Sequence, residues 1–370
     1  MSAAEPSTTG PSTPSPARFV RPALRALKVY TLDLSPSAHK LDQNEVPFDL
    51  PSRLKEEAAR RWLARDWARY PDFHADRLRA LLGARHGLGA ESVLVGNGSN
   101  ELLGITLEAL LEPGTEVLGH IPSFGLYKMF VLRSGGVPRF LGPSDDLRLP
   151  LAALEAEVER DPRRPVILCT PNNPTGDAAS VEAVERLLER LEAPLLLDNA
   201  YGEFCQYDYR PLLKRHRHLM IFRTFSKAWS LAAQRLGYLL ADAELVGELL
   251  KVKLPYNVDV ASAIAGEVVV EAAEAAERRV RVLMGRRPQW QAMLEGFGFE
   301  VFPSEANFLL ARHPRGSAPI REGLEARGIR WRDVSHYPGL AGCLRVSVGS
   351  GPDLRAVRAA LDEMFRGGVG

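Results

Sequence analysis

Short apolar runs alternate with amphipathic stretches along most of the chain after Val93. We interpret the runs as buried strands, because they are continuously apolar and are bounded by turn-forming or charged residues. The predicted strands are residues 93–95, 115–118, 137–141, 165–169, 195–197 and 219–222. Helical periodicity lies between them, at residues 99–111, 126–133 and 181–191. This alternation predicts an α/β sandwich with a mostly parallel sheet.

The pattern changes at Asp259, where one long helical stretch rich in Ala, Val, Glu and Arg runs to about Gly296. Shorter elements are predicted after it, with strands at 299–302, 307–311 and 344–348, a helix at 320–327 and a last helix that opens with Pro352. We therefore expect a large domain at 46–258 and a smaller α+β domain formed by 18–45 and 259–370. A Ser/Pro-rich tail at 1–17 is expected to be disordered.

Composition narrows the class of protein. The 370 residues are 45% hydrophobic and 25% charged, as in ordinary globular proteins, and the length favours two domains. The formal net charge of +1 gives no electrostatic footprint for nucleic acid or an anionic membrane. No apolar run approaches the roughly 20 residues of a membrane helix, and the first 17 residues contain no secretory signal. Cys169, Cys205 and Cys343 lack metal-ligand spacing and indicate a reducing compartment, so we expect a cytoplasmic protein.

Lys227 is the first candidate for chemistry, in a segment that also contains Ser226 and Arg235. A lysine amine can capture an aldehyde as a Schiff base, while a nearby hydroxyl and guanidinium can hold a phosphate. The cofactor pyridoxal 5'-phosphate (PLP) needs both functions. The alternative interpretation is an ordinary solvated lysine.

Asp198 and Tyr201 follow the predicted strand 195–197, at the strand end where α/β proteins place functional groups. A carboxylate there could pair with the pyridine nitrogen of PLP, and the tyrosine could bind the phenolic oxygen of its ring. A capping aspartate and a core tyrosine are the alternatives. Residues 171–176, Pro-Asn-Asn-Pro-Thr-Gly, form a rigid turn after another strand, and could direct the Asn173 amide towards the same oxygen.

The glycine-rich loop at 96–101 lies between a strand and a helix. The amides of Gly98, Ser99 and Asn100 could point from the helix N-terminus towards a phosphate, although helix capping explains the same residues. The loop is neither a Walker loop nor a dinucleotide fingerprint. Phe124 could stack on a pyridine ring or belong to the core.

Arg345 lies in the middle of the predicted strand 344–348, between apolar neighbours. A charge is costly there unless it is paired, and the guanidinium fork suits a carboxylate or phosphate. A substrate anchor and a buried structural ion pair both fit, and Arg332 could supply a second arm of the anchor.

Together these segments resemble the fold-type I PLP-dependent aminotransferases, in particular the histidinol-phosphate aminotransferase subfamily. The resemblance runs from about Lys40 to Arg345, with the motifs in the family's order. It implies a large domain with a mostly parallel seven-stranded sheet between helices, a smaller α+β domain, and a homodimer.

The resemblance also implies individual roles. Lys227 would hold the cofactor and shuttle the proton, Asp198 would bind the pyridine nitrogen, and Tyr201 and Asn173 would bind the phenolic oxygen. Phe124 would lie on the ring face. The positions that match the family's phosphate side are Ser99, Asn100, Thr224, Ser226 and Arg235, together with Tyr70 from the partner subunit.

On the substrate side, residues 41–47 resemble the family's N-terminal substrate segment, in which Asn44 lies, and Arg345 and Arg332 match its two anion-binding arginines. Two positions depart from the pattern. Asn199 replaces a glutamate that usually follows the cofactor aspartate, which should leave the chemistry intact. Val46 replaces an asparagine on the substrate side. The resemblance therefore defines the mechanism more closely than it defines the identity of the substrate.

The implied reaction converts L-histidinol phosphate and 2-oxoglutarate to imidazole acetol phosphate and glutamate, a step of histidine biosynthesis. An aromatic or broad-specificity aminotransferase and a threonine-phosphate decarboxylase-like enzyme would keep the same cofactor residues. A PLP-binding regulator is the alternative outside the enzymes, but such regulators generally carry a DNA-binding module, and the short tail shows no helical periodicity.

Overall fold

The computed structural model describes residues 15–27, 29, 31 and 35–366. The chain divides into two units, residues 1–34 and 35–370. In the first unit, a 3-10 helix at Pro16–Phe19 begins after Ser15, whose hydroxyl accepts the Ala17 amide. A short helix, α1, follows at Pro22–Arg25. Of the predicted tail, residues 1–14 lie outside the described residues, and the proposed domain boundaries stay a prediction.

Among the described residues, the strands and the remaining α-helices belong to the second unit. The strands are β1 His39–Lys40, β2 Val93–Gly96, β3 Glu116–His120, β4 Val137–Leu141, β5 Val166–Cys169, β6 Leu195–Asp198, β7 Leu219–Thr224, β8 Gly237–Leu240, β9 Glu300–Val301, β10 Phe308–Arg312, β11 Ile329–Arg330, β12 Arg332–Asp333 and β13 Cys343–Ser347. The helices are α2 Ser52–Leu63, α3 Asp76–His86, α4 Gly98–Leu110, α5 Tyr127–Arg133, α6 Leu151–Arg160, α7 Val181–Arg190, α8 Ala243–Val252, α9 Val260–Glu271, α10 Ala273–Gly296, α11 Ser317–Glu325 and α12 Gly351–Arg366.

A seven-stranded sheet with the order β2-β8-β7-β6-β5-β3-β4 lies at the centre of this unit. Strand β8 pairs antiparallel with both β2 and β7, whereas the pairs among β3 to β7 are parallel. The predicted mostly parallel, seven-stranded α/β fold is therefore confirmed. Strand β8 was not predicted, because its short apolar run directly follows the Lys227 segment without a separate boundary.

Both faces of the sheet are buried, which explains the continuous apolar runs. In β6, Leu195 and Leu197 join the larger core cluster, whereas Leu196 points into the cluster on the other face. The β5 strand alternates in the same way, with Ile167 packed beside Leu196 and its neighbours in the other cluster. Each face is thus supplied by every second residue of the same strand.

A four-stranded sheet, β12-β13-β10-β9, forms from the C-terminal third of the chain, and β1 pairs with β11 beside it. The predicted single helix from Asp259 to Gly296 is wrong: it is two helices, α9 and α10, separated at Ala272 (φ −107°, ψ 33°). Asp259 starts the first of them, as its carboxylate accepts the Ser262 amide at 2.9 Å. No helix among the described residues is long and apolar enough to cross a membrane.

Candidate active site

The carboxyl ends of three neighbouring parallel strands form the floor of the candidate site. Strand β5 ends at Cys169, β6 at Asp198 and β7 at Thr224, and Cys169 lies opposite Asp198 in the register of the sheet. Loops that leave parallel strands meet at one edge of a sheet, where α/β proteins bind their ligands. The predicted residues Asn173, Tyr201 and Lys227 lie on these three loops.

Lys227 is held at this edge by the N-terminal segment. Its Nζ donates to the Gln43 carbonyl at 2.7 Å and lies 5.9 Å from the centre of the Tyr201 ring. Burial lowers the pKa of the amine from 10.5 to about 7, and the positive charge of Arg345 acts in the same direction. A substantial fraction of Lys227 is therefore neutral at physiological pH, as a nucleophile or base requires.

Asp198 is 5% exposed and holds its carboxylate by two hydrogen bonds. The Tyr127 hydroxyl donates to Oδ2 at 2.6 Å, and the Ala200 amide donates to Oδ1 at 3.1 Å. Burial raises the pKa of Asp198, and the two hydrogen bonds oppose that rise.

Tyr201 is buried and connects the sheet edge to the N-terminal segment. The Asn44 side-chain amide donates to its hydroxyl at 2.9 Å. Two residues of the smaller sheet region fix the backbone of Asn44 in turn: the Asn44 backbone amide donates to the Ser347 hydroxyl at 3.0 Å, and the Asn44 backbone carbonyl accepts a hydrogen bond from the Asn307 side chain at 3.0 Å. The predicted substrate residue Asn44 thus reaches the same place as the predicted cofactor residue Tyr201.

Arg345 is buried in β13, as the sequence predicted, and its side chain points towards the sheet edge. It donates to the Asn173 Oδ1 atom at 2.5 Å and to the Asp42 carbonyl at 2.5 Å, and lies 5.4 Å from the Phe308 ring centre. Arg332 pairs with Arg345 across the β12–β13 ladder, so the two arginines are neighbours.

The N-terminus of α4 forms the other end of the site. Its N-cap residue, Asn97, makes no side-chain capping bond, so the first-turn amides retain their capacity to bind an anion. Arg235 lies against this turn, because a Cβ added at Gly98 would come within 3.0 Å of its guanidinium. Arg235 also donates to the Ser226 hydroxyl at 3.2 Å, and the Thr224 hydroxyl accepts the Ser226 amide at 3.1 Å.

The remaining predicted residues are less closely connected. Phe124 is partly buried and meets the Tyr127 ring edge-on, with ring centres 5.5 Å apart. Ser99 lies beside Gly237 in the first turn of α4, and Asn100 follows it. Tyr70 lies elsewhere: it is 78% exposed and stacks on Tyr256 at 4.5 Å.

Several residues of the site were missed by the sequence analysis. These are Tyr127, Asn307 and Ser347; Gln43 lies in the predicted substrate segment 41–47, but its contact with Lys227 was not predicted. A fully buried asparagine in a predicted strand, such as Asn307, was the one signal available, since buried polar side chains need partners.

Asn199 and Val46, the two residues that depart from the family pattern, contact other parts of the protein than Lys227 and Asp198. Asn199 is buried, accepts a hydrogen bond from Arg223 and donates to the Thr170 carbonyl at 2.6 Å. Arg223 keeps a charged partner in Glu203 at 3.1 Å. Val46 packs against the larger core cluster. Neither side chain makes a recorded contact with Lys227 or Asp198 among the described residues.

Comparison with known proteins places the chain in a family. The family model for aminotransferase class I and II matches residues 37–363. A histidinol-phosphate aminotransferase of Deinococcus radiodurans is 36% identical over 357 residues, which cover 95% of this chain and 98% of that protein. Histidinol-phosphate aminotransferase 1 of Carboxydothermus hydrogenoformans is 35% identical, with 94% and 99% covered.

The fold has a counterpart among solved structures. The histidinol-phosphate aminotransferase of Sinorhizobium meliloti, solved in complex with pyridoxal-5'-phosphate, superimposes with a TM-score of 0.83 at 23% identity, covering 94% of this chain and 97% of that one. The family model and the two relatives each extend over most of the chain, from the N-terminal segment to β13. The chain therefore belongs to the aminotransferases of class I and II, enzymes that move an amino group between an amino compound and an oxo acid.

Proposed function

We propose that this protein is a PLP-dependent aminotransferase that moves the amino group of L-histidinol phosphate to 2-oxoglutarate, in histidine biosynthesis. The observation that carries the cofactor assignment is the buried, partly neutral amine of Lys227 at the edge of the sheet. The substrate assignment rests on the curated relatives, which are histidinol-phosphate aminotransferases over nearly their whole length.

The residues present fit the cofactor. Gly98 and Gly237 place no side chain beside the first turn of α4. A phosphate can therefore approach the backbone amides of this turn and the Arg235 guanidinium. At the opposite end, Asp198 offers a buried carboxylate for a ring nitrogen, with the aromatic side chain of Phe124 in the adjoining cluster. Gly98, Ser99, Asn100, Thr224, Ser226 and Arg235 would hold the phosphate, and Asn173 and Tyr201 would hold the phenolic oxygen.

The chemistry divides between the cofactor and the protein. When bound, PLP supplies an aldehyde that combines with amino groups and a ring that withdraws electrons from the carbon beside them. Lys227 Nζ would take the proton from that substrate carbon and deliver it to the former aldehyde carbon of the cofactor, as a pKa of about 7 allows. Asp198 would hold the proton of the ring nitrogen, and Tyr201 Oη would donate towards the phenolic oxygen.

The substrate's anionic group would bind Arg345 and Arg332. Their neighbouring positions on β13 and β12 suit a phosphate in one half-reaction and a carboxylate in the other. Asn44, anchored by Ser347 and Asn307, would border the substrate from the N-terminal segment.

We also propose a homodimer in which Tyr70 reaches the partner's phosphate site. Support comes from an exposed hydrophobic group that consists of Tyr70, Phe73 and Tyr256. Tyr70 stacks on Tyr256 at 4.5 Å, and Phe73 meets the Tyr256 ring edge-on at 5.1 Å, so three exposed rings lie together at the surface. Free cysteines at 169, 205 and 343 support a cytoplasmic location.

The test is a substrate panel on the purified protein and on Lys227→Ala, with the exposed Lys214→Ala as control. The wild type and the control should show an absorbance band of bound cofactor near the visible edge, and kcat/KM should favour histidinol phosphate over phenylalanine by at least about tenfold. Lys227→Ala should lose that band and multiple-turnover transamination. A preference for phenylalanine, or release of carbon dioxide from threonine phosphate, would overturn the substrate assignment, and absence of cofactor binding would overturn the whole proposal.

A further inference from the structure

The buried carboxylate of Asp198 forms no ion pair with any residue in the described part of the chain. Its recorded side-chain hydrogen bonds among the described residues come from the Tyr127 hydroxyl and the Ala200 amide, both of them uncharged donors. A buried carboxylate without a cation is costly, and each neutral hydrogen bond offsets only part of that cost. The orientation and charge of Asp198 therefore depend strongly on these two donors.

The two donors differ in what they can fix. Ala200 lies two residues from Asp198 on the same loop, so its amide moves with the carboxylate. Tyr127 is the first residue of α5, 71 positions away in the chain, and is itself 3% exposed. Its ring packs edge-on against Phe124, so one short segment holds both Phe124 and the Asp198 partner in place.

We propose that Tyr127 is a positioning residue for the proposed reaction: its hydroxyl holds the Asp198 carboxylate in the orientation that keeps a proton on the ring nitrogen of bound PLP. This inference rests on the proposed function. Oδ2 accepts the phenol at 2.6 Å and Oδ1 accepts Ala200, which leaves one lone pair on each oxygen for a further donor. Hydrogen bonding from Tyr127 also acts against the rise that burial imposes on the pKa of Asp198.

Loss of the phenol should make Asp198 more basic. In Tyr127→Phe the carboxylate keeps only the Ala200 amide, so the proton shared with the ring nitrogen moves towards the carboxylate. The ring then withdraws electrons less effectively, which lowers kcat more than it raises KM. Affinity for PLP should fall roughly tenfold, as expected for one lost hydrogen bond to a charged group.

The deciding measurement is the nitrogen-15 resonance of the ring nitrogen in holoenzyme loaded with labelled PLP. In wild type we expect the position of a protonated ring, and in Tyr127→Phe a shift towards the unprotonated position. Tyr209→Phe is the matched control, since Tyr209 is also buried but its hydroxyl contacts Thr170 at 2.9 Å and the Ala179 carbonyl at 2.5 Å. It should leave the resonance unchanged even if it lowers the melting temperature.

An unchanged resonance in folded, loaded Tyr127→Phe would overturn the positioning role and leave a structural one. Should that variant fail to fold, 4-aminophenylalanine at position 127 keeps the shape of the ring and supplies a weaker hydrogen-bond donor than the phenol. It should move the resonance in the same direction as Tyr127→Phe, and no shift would again overturn the inference. Wild-type protein that takes up no PLP would contradict the proposed function instead, so the two failures are distinguishable.

Discussion

At the scale of single residues, the burial that makes Lys227 a useful base also destabilises its charged form. An unfolded lysine keeps its proton up to a pH near 10.5, whereas folding lowers the pKa of Lys227 to about 7. Between these values the unfolded chain binds the additional proton, so the free energy of unfolding rises with pH. Below pH 7 both states are protonated, and the burial penalty is present in full.

We therefore predict a specific difference between the apoprotein and its Lys227→Met variant. The stability of the wild type relative to the variant should increase from pH 7 to pH 10, by at most about 1.4 kcal/mol per pH unit. Denaturant unfolding at several pH values measures this difference. Lys214→Met, which removes an exposed lysine, should give a profile parallel to that of the wild type. Parallel profiles for Lys227→Met as well would show that folding does not lower the pKa of this lysine.

Residues of the candidate site could be predicted from the sequence where their position depends on residues close to them in the chain. Asp198 was found because it ends an apolar strand, and Arg345 because a charge interrupts one. The contact between Tyr127 and Asp198 spans 71 positions and that between Asn307 and Asn44 spans 263, so no local pattern indicates either. The catalytic roles of these residues stay predictions until they are assayed.

At the scale of elements, the central strands were predicted well because burial on both faces makes them continuously apolar. The two antiparallel neighbours of β8 and the end of α9 at Ala272 were not predictable in this way. Pairing direction depends on partners distant in sequence, and no glycine or proline marks Ala272. The one proline inside α10, Pro288, lies well within the helix and does not end it.

Strand β8 lies against the first turn of α4 at Gly237, so a substitution there tests the phosphate end of the site. A Cβ at Gly237 would lie 2.6 Å from the Gly98 carbonyl carbon and 3.0 Å from its Cα, and these backbone atoms can move only if the α4 N-terminus moves. Gly237→Ala should therefore raise the dissociation constant of PLP by more than about tenfold and cost roughly 1–3 kcal/mol of stability. Equilibrium dialysis and denaturant unfolding measure the two effects.

Gly247→Ala is the control for this prediction, since Gly247 lies in helix α8 with open space where the Cβ would be. It should leave PLP affinity unchanged and stabilise the helix by roughly 0.5–1 kcal/mol. Wild-type PLP affinity in Gly237→Ala would show that the first turn of α4 does not bind the phosphate.

At the scale of the whole molecule, the position of Tyr70 bears on the assembly. Tyr70 and Tyr256 stack in the exposed hydrophobic group, and Asn257 next to them donates to Glu101 of α4 at 2.6 Å. This surface therefore adjoins the proposed phosphate end of the site. A second copy packed here would cover the exposed rings and could bring its Tyr70 to that end.

Hybrid dimers test whether Tyr70 acts across the interface. Lys227→Ala and Tyr70→Ala should each be impaired alone, the first completely and the second mainly in PLP affinity. Refolded together, they form mixed dimers in which one site has both wild-type residues, so activity at limiting PLP should return to about a quarter of the wild-type value.

Lys227→Ala mixed with Asp198→Ala is the control: both residues belong to the same subunit's site, so neither site of that mixed dimer is complete. Recovery in the control as well as in the test pair would mean that subunits exchange more than Tyr70, and no recovery in the test pair would place Tyr70 outside the partner's site.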